Sequence, residues 1–119
     1  MSQPSEQNPG AMIFDQTQIG RGLKPLAQHG FVVIENGSIT LYDSKQQPIH
    51  GGPLSETTAK KVPMTGGKSL SVNIAGEKFN VSPGWGDLSG RFALNRSINS
   101  AVKALKYLID NDGRMPDPA

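Results

Sequence analysis

The clearest pattern in the chain is a pair of apolar runs around a polar break. Phe31-Val32-Val33-Ile34 and Ile39-Thr40-Leu41-Tyr42 flank Glu35-Asn36-Gly37-Ser38. Asn-Gly suits a type I′ turn, whose two central residues both need positive φ, so this stretch predicts a β-hairpin. Further on, Leu70, Val72 and Ile74 alternate with Ser69, Ser71 and Asn73, and Phe79 and Val81 alternate with Lys78 and Asn80. Period two with one apolar face predicts a second hairpin, turning at Ala75-Gly76-Glu77. From Leu94 the period changes. Leu94, Ile98, Ala101, Val102, Leu105, Leu108 and Ile109 recur at three- and four-residue steps. They predict an amphipathic helix over residues 95–110, of about four turns. Asn95 or Ser97 can cap its start, and Gly113 stands where it would end.

The remaining stretches carry weaker patterns. Residues 48–54 hold Gly51, Gly52 and Pro53 and predict an edge or bulged strand. In residues 12–30, Ile13, Phe14, Ile19, Leu23 and Leu26 fall at partly helical spacing, while Gly20, Gly22 and Pro25 interrupt it. A short helical turn or an irregular cover strand is expected there. Residues 82–93 predict a loop in which Trp85, between Gly84 and Gly86, either packs back onto the sheet or stands out as an anchor for a partner. Residues 1–11 lack an apolar anchor and predict a disordered tail; residues 113–119 predict a frayed end. Residues 12–112 then form a single domain. The plan is mainly β with a C-terminal helix (α+β): a bent antiparallel sheet or small, partly open barrel of about six or seven strands capped by one amphipathic helix.

Composition narrows the function classes. The chain has 119 residues, enough for one self-sufficient core, and no cysteine, which removes disulfides and thiolate metal sites. A formal net charge of +2 gives no reason to expect nucleic acid as the main partner. No apolar run approaches the ~18 residues of a membrane span. The N-terminus lacks the basic and apolar regions of a secretory signal, so a cytoplasmic protein is expected, with association of a lysine patch with anionic lipid as the alternative.

Candidate chemistry is sparse. Gly66-Gly67-Lys68-Ser69 resembles the end of a phosphate-binding loop, but Val62 stands where the first glycine is needed and a strand follows instead of a helix. Ser100 and Lys103 match a Ser-x-x-Lys spacing without its companion motifs. His29 and His50, the two histidines, have no second ligand at metal spacing. No catalytic residue, metal or cofactor is therefore expected. Lys60, Lys61 and Lys68 flank one turn, either as an anion site or as charges that deter strand pairing at a sheet edge.

Strands in antiparallel hairpins followed by one closing helix, with stretches such as Glu35-Asn36-Gly37-Ser38-Ile39-Thr40-Leu41-Tyr42, resemble the pleckstrin-homology-like (PH-like) superfold, in particular its small bacterial, actinobacterial-type members. The resemblance covers roughly residues 31–110 and implies a non-enzymatic interaction module. Two departures stand against inositol-phosphate binding. The first hairpin turn is acidic, and the single Trp85 precedes the helix rather than lying within it.

The leading expectation is therefore a module that binds a protein or peptide through a sheet edge or strand–helix groove. Residues 57–64 and the helix would form its walls, with Thr58, Lys60, Val62, Trp85, Lys103 and Lys106 as contact residues. A homo-oligomer through a sheet edge or the N-terminal tail is a variant of the same idea. The alternative is a peripheral binder of anionic phospholipid using Lys60, Lys61 and Lys68. A third reading is a small enzyme whose pocket, around His50, is hidden in the sequence.

Overall fold

The computed structural model describes residues 11–63, 66, 68–93 and 96–115. Seven strands form one antiparallel sheet: β1 (Met12–Arg21), β2 (Lys24–Glu35), β3 (Ser38–Tyr42), β4 (Pro48–Pro53), β5 (Thr57–Lys61), β6 (Leu70–Ile74) and β7 (Glu77–Ser82). Their spatial order is β4-β3-β2-β1-β7-β6-β5, so β4 and β5 are the edges. A single-turn helix α1 (Ser89–Phe92) and a longer helix α2 (Ala101–Asp110) follow. The architecture is a bent antiparallel sheet closed at one corner by a C-terminal helix.

Both expected hairpins are present. Asn36 and Gly37 turn β2 into β3 with φ of 52° and 75°, as a type I′ turn needs. β6 and β7 pair from Ile74↔Glu77 to Leu70↔Val81, which puts Leu70, Val72, Ile74, Phe79 and Val81 on the buried face. β4 is the expected edge strand.

Residues 12–30 hold no helical turn. They form β1 and the first part of β2. Met12, Phe14, Thr17 and Ile19 all point into the core, but the step from Phe14 to Thr17 is three. A bulge there, with Gln16 at φ 47°, shifts the register and hides the period of two. The Thr17 hydroxyl donates to the Asp15 carbonyl at 3.0 Å, which satisfies this fully buried polar group. Beyond the bulge, β1 serves two neighbours. Ile19 pairs with Ala27 of β2 and with Val81 of β7.

The sheet curls until the edge strand β4 meets β6. The His50 ring of β4 lies 3.0 Å from the Ile74 carbonyl of β6 through Nε2 and sits 5.6 Å from the Phe79 ring. A carbonyl only accepts, so Nε2 carries the proton in this contact. The Ala75 N–H donates to the Glu56 carbonyl at 2.9 Å and extends the β5–β6 pairing by one step.

The closing helix starts later than the spacing suggests. It runs over Ala101–Asp110, and its cap is Ser100, whose Oγ accepts the Lys103 N–H at 3.2 Å. Ile98 is buried as the stripe requires, but it packs from an irregular segment before the helix. Ser97 lies in a turn, and Asn95 is outside the described residues. At the other end Asp112 takes the left-handed conformation and the Gly113 N–H donates to the Leu108 carbonyl at 2.7 Å, so the helix stops in a Schellman-type turn. Residues 82–93, expected as loop, contain α1, which seats Phe92 in the core beside Leu88. The expected disordered residues 1–10 and the last four of the expected frayed end lie outside the described residues.

Candidate functional site

After β7 the chain turns back across β1. The Gly84 N–H donates to the Asp15 carbonyl at 2.9 Å. The approach is too close for side chains: a Cβ on Gly84 would lie 2.5 Å from the Asp15 oxygen, and one on Gly86 would lie 2.6 Å from the Ile13 oxygen. Trp85 is thus pinned between two glycines laid on β1. It is half-buried, with its ring 6.0 Å from that of Phe92 and tilted by 42°.

Trp85 also lines a cleft of about 850 Å³ at the corner where sheet and helix meet. Gln16 and Gln18 of β1 form part of its lining. Lys61 and Lys68 stand on the side of the β5–β6 connection, and Lys103 comes from the first turn of α2. The Ser69 and Ser82 hydroxyls meet at 2.5 Å within it, tying the β5–β6 connection to the end of β7.

A second cleft, of about 360 Å³, continues between the end of β5 and the flank of α2. Ile98, Tyr107 and Lys106 line it, and Lys61 and Lys103 belong to both clefts. At its far end Lys106 pairs with Asp110 at 2.5 Å, one turn along the helix.

The pleat of β5 decides which lysines meet. Thr57 and Ala59 point inward, so Lys61 continues that row, while Thr58 and Lys60 point the other way and are exposed. Lys60 lines neither cleft. The trio Lys60, Lys61 and Lys68 is therefore split, and the group brought together is Lys61, Lys68 and Lys103. Val62 is half-buried just past β5, where its N–H donates to the Ser69 carbonyl at 3.1 Å. Sequence reading missed the Lys61–Lys103 pairing and the two glutamines. The alternation in residues 57–61 was the available signal for separating Lys60 from Lys61.

The other candidates have structural partners. Ser100 and Lys103 are joined by the helix cap, which accounts for their spacing without a nucleophile. His29 is exposed, with Nδ1 at 2.8 Å from the Gln16 amide oxygen. His50 is engaged in the seam between β4 and β6 and lines neither cleft. Among the described residues no group of three His, Cys, Asp or Glu side chains is placed to hold a metal ion, and no helix is long and apolar enough to cross a membrane.

No protein-family model matches the sequence, and no curated protein matches it. Among solved structures, the chain is similar to the solution structure of the PH domain of human oxysterol binding protein-related protein 11. The TM-score is 0.51 at 13% identity, over 87% of this chain and 82% of that one. At this identity the likeness carries the fold alone: the chain has a PH-like fold.

Proposed function

We propose that this domain is a non-enzymatic interaction module that receives an extended peptide segment of a protein partner between the edge of β5 and helix α2. The observation that carries this reading is the combination of an edge strand with a cleft beside it. β5 ends the sheet, and the cleft along α2 starts where β5 ends. An added strand gains affinity from backbone hydrogen bonds and selectivity from the neighbouring pockets.

The register supports the choice of edge. Val62 N–H faces β6, so the strict alternation of an antiparallel pair turns Lys60 and Thr58 toward β6 as well. The N–H and C=O of Ala59 and Lys61 are then directed outward. The phospholipid reading has less support, because Lys60 and Lys61 lie on opposite faces of one strand and cannot press one flat surface together. Work in the cytoplasm and kinship with the short bacterial domains of this fold belong to the same proposal.

The test is selection from a library of short random peptides, followed by amide-shift mapping of the selected ones by NMR. Shifts confined to residues 57–62 and 97–110 are expected. Selected peptides that move β4 or the β1–β2 turn instead, or a library that yields no binder, would overturn the proposal.

A further inference from the structure

The two clefts share Lys61 and Lys103 and so adjoin at the first turn of α2; the adjoining pair is called the trough. Its larger end holds Lys61, Lys68 and Lys103, and no Asp or Glu is among the described residues lining it. None of the three lysines is ion-paired with a described residue; the two ion pairs among the described residues are Arg21 with Glu77 and Lys106 with Asp110. Three of the twelve Lys and Arg line this cleft, and none of the described carboxylates does. The described lining of this cleft therefore carries three positive charges and no negative one.

From this we infer that the occupant of the trough is an acidic segment: an extended peptide carrying Asp or Glu at alternate positions, whose carboxylates enter the lysine-lined end. The inference rests on the peptide reading above and adds the chemistry of the peptide. An extended chain rises about 3.3 Å per residue, so alternate side chains fall on one face roughly 6–7 Å apart. A strand added at Ala59 and Lys61 thus directs every second side chain toward the same wall. Gln16, Gln18 and Asn99 add amide donors to the same lining. The amino end of α2 adds a favourable potential for negative charge. Each exposed lysine–carboxylate contact is worth little alone, roughly two- to fivefold in affinity. Three together, in a concave site, give a selectivity of roughly tenfold or more for acid over amide.

The experiment uses the peptides selected from the random library on the full chain. Expected results are selected sequences with at least two acidic residues at alternate positions, and Glu→Gln or Asp→Asn analogues that bind roughly tenfold more weakly at low salt. K61E, K68E and K103E should each weaken binding while leaving the circular dichroism spectrum unchanged. Reselection on the K61E/K103E double variant should return basic peptides. All three lysines are exposed, so the charge reversals leave the core intact.

Neutral peptides that still shift residues 59–61 would overturn the acidic inference and leave the groove reading standing. A library that yields no peptide at β5 would remove the groove reading itself. Inorganic phosphate or phosphatidylserine vesicles that shift the Lys61, Lys68 and Lys103 signals when acidic peptides do not would also overturn the inference, assigning the cleft to a phosphate group.

Discussion

At the scale of single residues, close backbone contacts and seam contacts decide more than charge does. Gly84 is the sharpest case. Its amide binds the Asp15 carbonyl, and a Cβ would meet that same oxygen at 2.5 Å. The opposing atom is backbone and cannot rotate away, so Gly84→Ala must lift the loop from β1. A loss of about 1–3 kcal/mol in urea unfolding is expected, together with a changed Trp85 fluorescence maximum. His50 acts at the other side of the sheet. His50→Ala removes a hydrogen bond to Ile74 and a ring contact with Phe79 where the sheet curls shut. About 1–2 kcal/mol should be lost, and faster amide exchange should appear along β4 and β6. A variant as stable as the parent would show that the seam holds without it. The lysines show how a residue-level reading fails. Lys60, Lys61 and Lys68 are close in the chain, yet one step along a pleated strand reverses direction, so proximity in sequence grouped Lys60 with the wrong face.

At the scale of elements, legibility followed the regularity of the period. The β2–β3 turn and the β6–β7 hairpin were readable because Asn36-Gly37 fixes one turn geometry and because Leu70, Val72 and Ile74 alternate without interruption. β1 was not readable because the bulge at Gln16 turns a step of two into a step of three between Phe14 and Thr17. That step imitates a helix. The start of α2 was misplaced for the converse reason. Leu94 and Ile98 continue the helical spacing in sequence, but Ser100 is itself extended and offers its hydroxyl to the Lys103 amide. The cap therefore makes a decisive test of where the helix begins. Ser100→Ala should cost about 1 kcal/mol, and Ser100→Asp should retain most of the stability, since a carboxylate accepts the same amide and suits the positive end of the helix. Thermal unfolding of the two variants checks this. An alanine variant without loss would mean that the helix is capped elsewhere, nearer the start its spacing suggests.

At the scale of the whole molecule, the question is whether α2 is an appendage or part of the core. The sheet alone cannot bury its inner face, because a curled antiparallel sheet with one dry side needs a cover. α2 supplies that cover with Ala101, Val102, Ala104, Leu105, Leu108 and Ile109, all buried in the same cluster as Phe14, Leu70 and Phe79. Burying a single large aliphatic side chain contributes about 1.5–3 kcal/mol, while a domain retains only about 5–15 kcal/mol in total. The four larger side chains of the helix therefore contribute a sum comparable to the entire net stability. Two outcomes follow at different strengths. Leu105→Ala, at a position with no exposure, should remove about 2–5 kcal/mol and leave a cooperative transition with a lowered midpoint. Truncation before Ala101 should abolish that transition, quench the near-ultraviolet signal of Trp85 and expose surface that binds a hydrophobic dye. A truncated sheet that still unfolded cooperatively would make α2 an accessory. The trough would then be a junction between two separable parts, and Lys103 could be moved without consequence for the fold. With α2 integral to the core, the angle between β5 and the helix is set by the same side chains that hold the molecule together. The lysine-lined corner is then preformed, and an extended partner entering it meets walls that need no rearrangement.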